Sequence, residues 1–428
     1  MLGLMTAPPT AAASTLTVRV TADRPDTDPG DGACDSTADP STTKCTLRAA
    51  IQEANADPRE DRIRFAITTG SGEVKTIAPR TALPAITQPL VIDATTQAGA
   101  SPNTASVGTN ARLRVVLDGV GLASSPGIQA RARVTVRGLV IGRFARGIQL
   151  SEGSDGSLIT GNFIGTDVTG RLDRGNGGSG ILVNASDVRI GSLARADRNL
   201  ISGNGSAGID LGIASRRAVV QGNLIGTKRG GAQGLPNDGD GIFVTGSDGH
   251  LIGGGSTAQG NVIAFNRRDG VGLVTVSSPS LGTLLPNHVR ILRDAIFGNA
   301  GIGIDLGDDG FTPNDPVPDP DTGPNGLQNF PRLDSVVVDS SETTITGRLA
   351  SRRGVRFEIQ LYQSAAGDPE GRTFLGSFVI RTGADGRRTF TFHTSFPLAL
   401  GTIVTATATD LERSQTSEFG PARVATAP

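Results

Sequence analysis

Two histidines and an arginine offer the most direct route to chemistry in this chain. Aligning the segments SLITGN, DVRIGS, AVVQGN, HLIGGG and HVRILR stacks Ser157, Asp187, Ala218, His250 and His288 in one column. If these segments are successive rungs of a parallel stack, the two imidazoles stand about 5 Å apart, with Arg290 beside them. A base next to a guanidinium that neutralises a carboxylate is what β-elimination from a uronate requires. His250, His288 and Arg290 are therefore the candidate catalytic residues. A second set lies in NDPVPDPDTGPNG, where Asp315, Asp319, Asp321 and Asn325 present hard oxygen ligands at close spacing. They form a candidate calcium site, although the spacing is not that of an EF-hand loop. Two further carboxylates, Asp210 and Asp305, recur in an Ile-Asp-Leu-Gly motif. Three rungs separate them by roughly 14 Å, beyond the about 5–9.5 Å of a glycosidase pair.

Other chemistries find less support. The loops GTDVTGRLDRGNGGSG and GTKRGGAQGLPNDGDG agree in length but not in charge: Asp167 is answered by Lys228, and Asp173 by Gly234. Neither ends in the Gly-Lys-Ser/Thr of a phosphate cradle. They read as protruding loops that rim a binding groove. A formal charge of −1 gives no electrostatic footprint for nucleic acid. No stretch approaches the roughly 18 apolar residues of a membrane span.

The elements that position these residues are periodic. The chain holds 59 glycines in 428 residues, no tryptophan and one tyrosine, a composition suited to thin stacked layers rather than one large core. A Gly-Ile/Val element recurs at Gly147, Gly180, Gly208, Gly241, Gly270 and Gly303, at intervals of 33, 28, 33, 29 and 33. The unit is a double coil of 61 residues, shown best by GNFIGTDVTG and GNLIGTKRGG. A second column reads Asn162, Asn199, Asn223, Asn261 and then Asp294; asparagine beside a tight turn can bond the backbone and its own equivalents above and below. Short strands in coils of about 30 residues without helical periodicity predict a parallel β-helix. Right-handed winding is the chirality default.

The ends differ in style. Leu47, Ala50, Ile51 and Ala54 fall on one helical face, which predicts a helix across the open first coil. Residues 1–14 read as the tail of a signal peptide or as a disordered, Pro- and Ala-rich N-terminus, and export would favour a Cys34–Cys45 disulfide in the cap, residues 15–60. The β-helix is expected over 61–310 and an Asp/Pro-rich junction over 311–331. Six or seven alternating strands over 332–428 predict a β-sandwich.

The segment ACDSTADPSTTKCTLRAAIQEAN resembles the CSLREA domain of bacterial exported proteins. Its motif reads Cys45-Thr46-Leu47-Arg48-Ala49-Ala50 here, with alanine in place of the family's glutamate. The GNxIGT coils and the ending QNFP…TATATD…TSEFG are similar to the right-handed parallel β-helix proteins that carry this cap. The resemblance implies an exported, secreted or cell-surface bacterial protein and implies no catalytic residue. Together these readings lead to an expected function: a non-catalytic scaffold that binds extracellular polysaccharide or a cell-surface glycan, or mediates adhesion. The alternative is a polysaccharide lyase or glycoside hydrolase acting in a groove on the β-helix face.

Overall fold

A computed structural model describes residues 14–36, 44–68 and 73–428. Most of the expected leader therefore lies outside the described residues. Three long parallel sheets of nine, eight and seven strands, here A, B and C, wind together as a β-helix. One coil contributes Leu158–Thr160 to sheet A, Phe163–Ile164 to B and Ile181–Val183 to C. The next contributes Arg189–Gly191, Leu200–Ile201 and Ile209–Leu211. Alternate coils place their longer loop between B and C or between A and B, which produces the 61-residue double unit. Inside, like residues stack on like: Ile164, Ile201, Ile225 and Ile263 are in register, and none is exposed.

The corner between A and B is held by the expected asparagine column. Nδ2 of Asn162, Asn199, Asn223 and Asn261 donates at 3.2, 2.8, 2.9 and 2.7 Å to Oδ1 of the next member, ending on Asp294. The same amides donate to backbone carbonyls of the preceding coil, at Val136, Ile159, Ile190 and Val220.

A second ladder, not anticipated, runs along the B–C corner. Asn176, Asn204, Asn237, Asn266 and Asn299 are linked at 2.9 Å per step. Each lies four residues before a member of the Gly-Ile column. This explains the glycines: a Cβ on Gly180 would come within 2.8 Å of Asn204 Nδ2 and of Ile201 Cγ2.

At the N-terminus the strand Thr15–Val18 pairs with Asp61–Phe65 in sheet A. The cap is thus an excursion between two rungs, rather than a segment preceding the first. Its helix, Leu47–Ala56, is N-capped by the Thr46 side chain. Leu47, Ala50, Ile51 and Ala54 are buried as the periodicity requires, and so is Ala49. Cys34 and Cys45 form a disulfide. Glu53, on the same helix, accepts the N–H groups of Gly30 and Gly32 at 2.5 and 2.7 Å, fixing the loop against the helix.

At the C-terminus, two antiparallel sheets of three and five strands enclose a separate core around Phe357, Ile359, Leu361 and Ile345. This sandwich receives the last rung of every sheet. Ile291 N–H of sheet A donates to Thr416 Oγ1 at 3.0 Å. Ile296 N–H of sheet B reaches the Gly371 carbonyl at 3.0 Å, and Leu306 N–H of sheet C reaches Glu418 at 3.1 Å. The β-helix and the sandwich therefore meet in a hydrogen-bonded closure.

Replacing Asn223 by alanine removes a rung that is bonded above, below and to the backbone. Leaving those buried groups unpaired is expected to cost about 3 kcal/mol, read as a lower urea midpoint with an unchanged denaturant slope. An unchanged midpoint would show that the ladder contributes nothing to stability.

Candidate functional site

The sheet A register corrects the histidine set. Leu158, Arg189, Val219, Leu251 and Arg290 are aligned, so the residue before each forms the column Ser157, Val188, Ala218, His250 and Val289. His288 and Asp187 belong one position earlier, at a turn where both adopt positive φ, 55° and 59°. His250 points inward and is 1% exposed. Its Nδ1 accepts the Ala218 N–H at 3.1 Å, and Nε2 lies 3.0 Å from Ser247 Oγ. Burial lowers its pKa to about 4, so it is a neutral core histidine with both nitrogens occupied. His288 lies on the surface, 2.8 Å from Asp248. Arg290 is exposed on the outer face of sheet A. The three residues do not converge on one reacting centre.

The junction aspartates divide differently. Asp315, Asp319 and Asp321 each bring an oxygen within 4.8 Å of the others. Oδ1 of Asp319 and Oδ1 of Asp321 are buried without a hydrogen-bond partner, and burial raises the Asp319 pKa to about 7. Hard oxygens so grouped suit a calcium ion, with ligands at about 2.3–2.6 Å. Asn325 is not among them. Its Oδ1 accepts the Val289 N–H at 3.0 Å and its Nδ2 donates to the Val289 and Thr416 carbonyls at 2.7 and 3.0 Å. It continues the column in which Ser157 and His250 accept N–H groups of the preceding coil. A second trio, Asp240, Asp269 and Asp308, holds its own cation: Arg268 lies 2.5 Å from Asp308 and 4.0 Å from Asp240. Asp210 and Asp305 stand three rungs apart through Phe243 and Gly272, as the repeat requires.

The feature that sequence reasoning missed is an apolar column on the outside of sheet B. Val116, Val140, Phe163, Leu200, Leu224, Val262 and Ala295 are in register. They alternate with the inward isoleucines and so face away from the core. The signal was present: each coil carries two consecutive apolar residues after its asparagine, and only one can point inward. Ala111 and Leu113 pack over the earlier part of this column. Its last rungs form the floor of an open cleft of about 440 Å³. One wall is the second long loop, at Gly230, Gly231 and Ala232; Arg293, Arg372 and Phe374 form the end toward the sandwich. The two long loops are short hairpins bridged at Thr166–Asp173 and Thr227–Gly234. They lie against each other through Arg229 N–H and the Gly170 carbonyl at 2.8 Å. Asp167, bonded to Thr169 and to the N–H groups of Arg171 and Leu172, shapes its own hairpin.

A neighbouring cavity of about 550 Å³ contains Glu370 and Glu418. Burial raises their pKa values to about 8 and 7. Both carboxyls are committed to the closure: Glu370 accepts Asn299 N–H and Nδ2 at 3.0 and 3.2 Å, ending the second ladder. Glu418 accepts the N–H groups of Leu306 and Thr312. No family model matches the chain, and no curated protein matches it.

Asp294 ends the first ladder in the position of an asparagine. It is buried, its pKa is raised to about 7 by that burial, and Oδ2 has no partner. In the other rungs this position is an N–H donor to a backbone carbonyl, and by register the next carbonyl is that of Ile252. Protonation of Oδ2 would restore a donor at that position. Its contribution to stability is complete below the ordinary carboxylate pKa and is lost as pH rises through about 7. Glu370 and Glu418 act in the same direction. The melting temperature should therefore fall between about pH 5 and pH 8. Asp294→Asn should melt higher than the parent at pH 8 and show a shallower fall; a lower melting temperature than the parent at pH 8 would refute this role.

Proposed function

We propose that this chain is an exported or cell-surface scaffold that binds extracellular polysaccharide without cleaving it. The observation that carries this reading is the cleft on sheet B. Its open floor is formed by Val262 and Ala295, on adjacent coils about 4.8 Å apart, beyond Leu224, which the loop and the column bury. An open floor with apolar rungs and polar walls suits a sugar unit of a chain polymer, whose rings present apolar faces. The scattering of His250, His288 and Arg290 favours binding over the lyase or hydrolase alternative. Export is supported by the likeness to the CSLREA cap and by the disulfide, which is compatible with an oxidising compartment. Among the described residues, no helix is long and apolar enough to cross a membrane.

The test is a glycan array combined with reducing-sugar and unsaturated-uronate assays on the same preparations. The expected result is retention of a polysaccharide without product. Ala232→Trp, which places a bulky ring at the exposed rim, should abolish retention while leaving the melting temperature unchanged. Product release, or retention unaffected by that substitution, would overturn the reading.

As part of the same proposal, the Asp315–Asp319–Asp321 group binds calcium and rigidifies the junction. Dialysis against EDTA should then lower the melting temperature by several degrees, and calcium but not magnesium should restore it. No shift would dispose of the ion.

A further inference from the structure

The cleft has an unbalanced charge. Three arginines, Arg198, Arg293 and Arg372, line it, and among the described residues the one acidic group of its lining is Asp294, which is buried beneath the floor. Arg293 is neutralised by Glu358 at 2.7 Å. Arg198 is not: its Nε and Nη1 donate to the carbonyls of Gly222, Ser106 and Gly108. Burial and the neighbouring Arg195 both disfavour its charge. Arg372 is exposed and lies over the Phe297 ring at 4.5 Å. The ring orients the guanidinium plane and leaves its N–H groups available. Among the described residues, neither Arg198 nor Arg372 meets a carboxylate.

Two unneutralised guanidinium groups at the edge of an apolar floor are a receptor for an anion carried on a sugar. We propose that the polymer bound in this cleft is anionic, with carboxylate or sulfate groups taken by Arg372 and, deeper in the cleft, Arg198. The proposal rests on the polysaccharide-binding reading above and names the class of polymer. Guanidinium pairs with either anion through two parallel N–H···O bonds, so uronate and sulfate ester share one recognition chemistry. The apolar floor then holds the sugar between charges.

Affinity electrophoresis with dextran and dextran sulfate, which share a backbone, tests the charge; polygalacturonate supplies the carboxylate arm. The intact protein should be retarded by dextran sulfate or polygalacturonate and not by dextran, with retardation falling as salt rises. Arg372→Gln should weaken retention at least about tenfold, as expected for the loss of a charged hydrogen bond, and should flatten the salt dependence. Arg372→Lys should keep the salt dependence while recovering only part of the affinity. The melting temperature of each variant separates loss of binding from loss of fold. Equal retention by dextran and dextran sulfate, abolished by Ala232→Trp, overturns the anionic assignment while sustaining polysaccharide binding. Polyanion retention that survives Arg372→Gln unchanged places the anion elsewhere and overturns the site. No retention by any polymer overturns both readings.

Discussion

Each coil of this molecule can complete its hydrogen bonds only through the coil above it. The amide of one asparagine is satisfied by the oxygen of the next, and each strand N–H waits for a carbonyl one rung away. Such a stack has no internal reason to stop, so its last rung is a layer of unmet donors over an exposed apolar core. The sandwich resolves this at each of the three sheets, through Thr416, Gly371 and Glu418. Both asparagine ladders end on a carboxyl, Asp294 in the chain's own last coil and Glu370 from the sandwich. A carboxyl is an acceptor that requires no further acceptor above it. Burying it raises its pKa, and a pH-sensitive closure follows from the same geometry.

That closure also accounts for most of the chemically suggestive residues. His250, Asn325, Glu370 and Glu418 look like catalytic groups or ligands when taken singly. In place, each accepts backbone N–H groups at a position where the stack needs an acceptor. What the stack does not consume is the outer face of sheet B. There an apolar column continues past the loop residues that cover it and meets arginines drawn from both the helix and the sandwich.

The repeat was readable because stacking demands it. An inward position tolerates only a narrow range of side chains, and a corner asparagine must recur with the coil. The periods of Gly147 to Gly303 and of Asn162 to Asn261 therefore survive in the linear order, as do the helical face of the cap and the longer strands of the sandwich. The second ladder was equally legible, four residues ahead of each glycine. The histidine column was misplaced by one residue, because the turn before sheet A can take His288 or Asp187 in the same positive-φ position. In a strand, a shift of one residue exchanges inside for outside: the inward column takes Val188 and Val289, and His288 and Asp187 fall on the turn at the surface, away from the buried His250.

Sequence alone determined the architecture: the coil length, the ladder, the helical cap, the cysteine pair and the change of style near residue 311. These are local or periodic constraints, each repeated often enough to be recognised without coordinates. Only the tertiary structure decided what the chemistry-bearing residues do. Arg198, Phe297 and Arg372 lie far apart in the chain and meet in one cleft because the sandwich folds back over the last coil. That meeting follows from how two domains close against each other, and no period in the sequence records it.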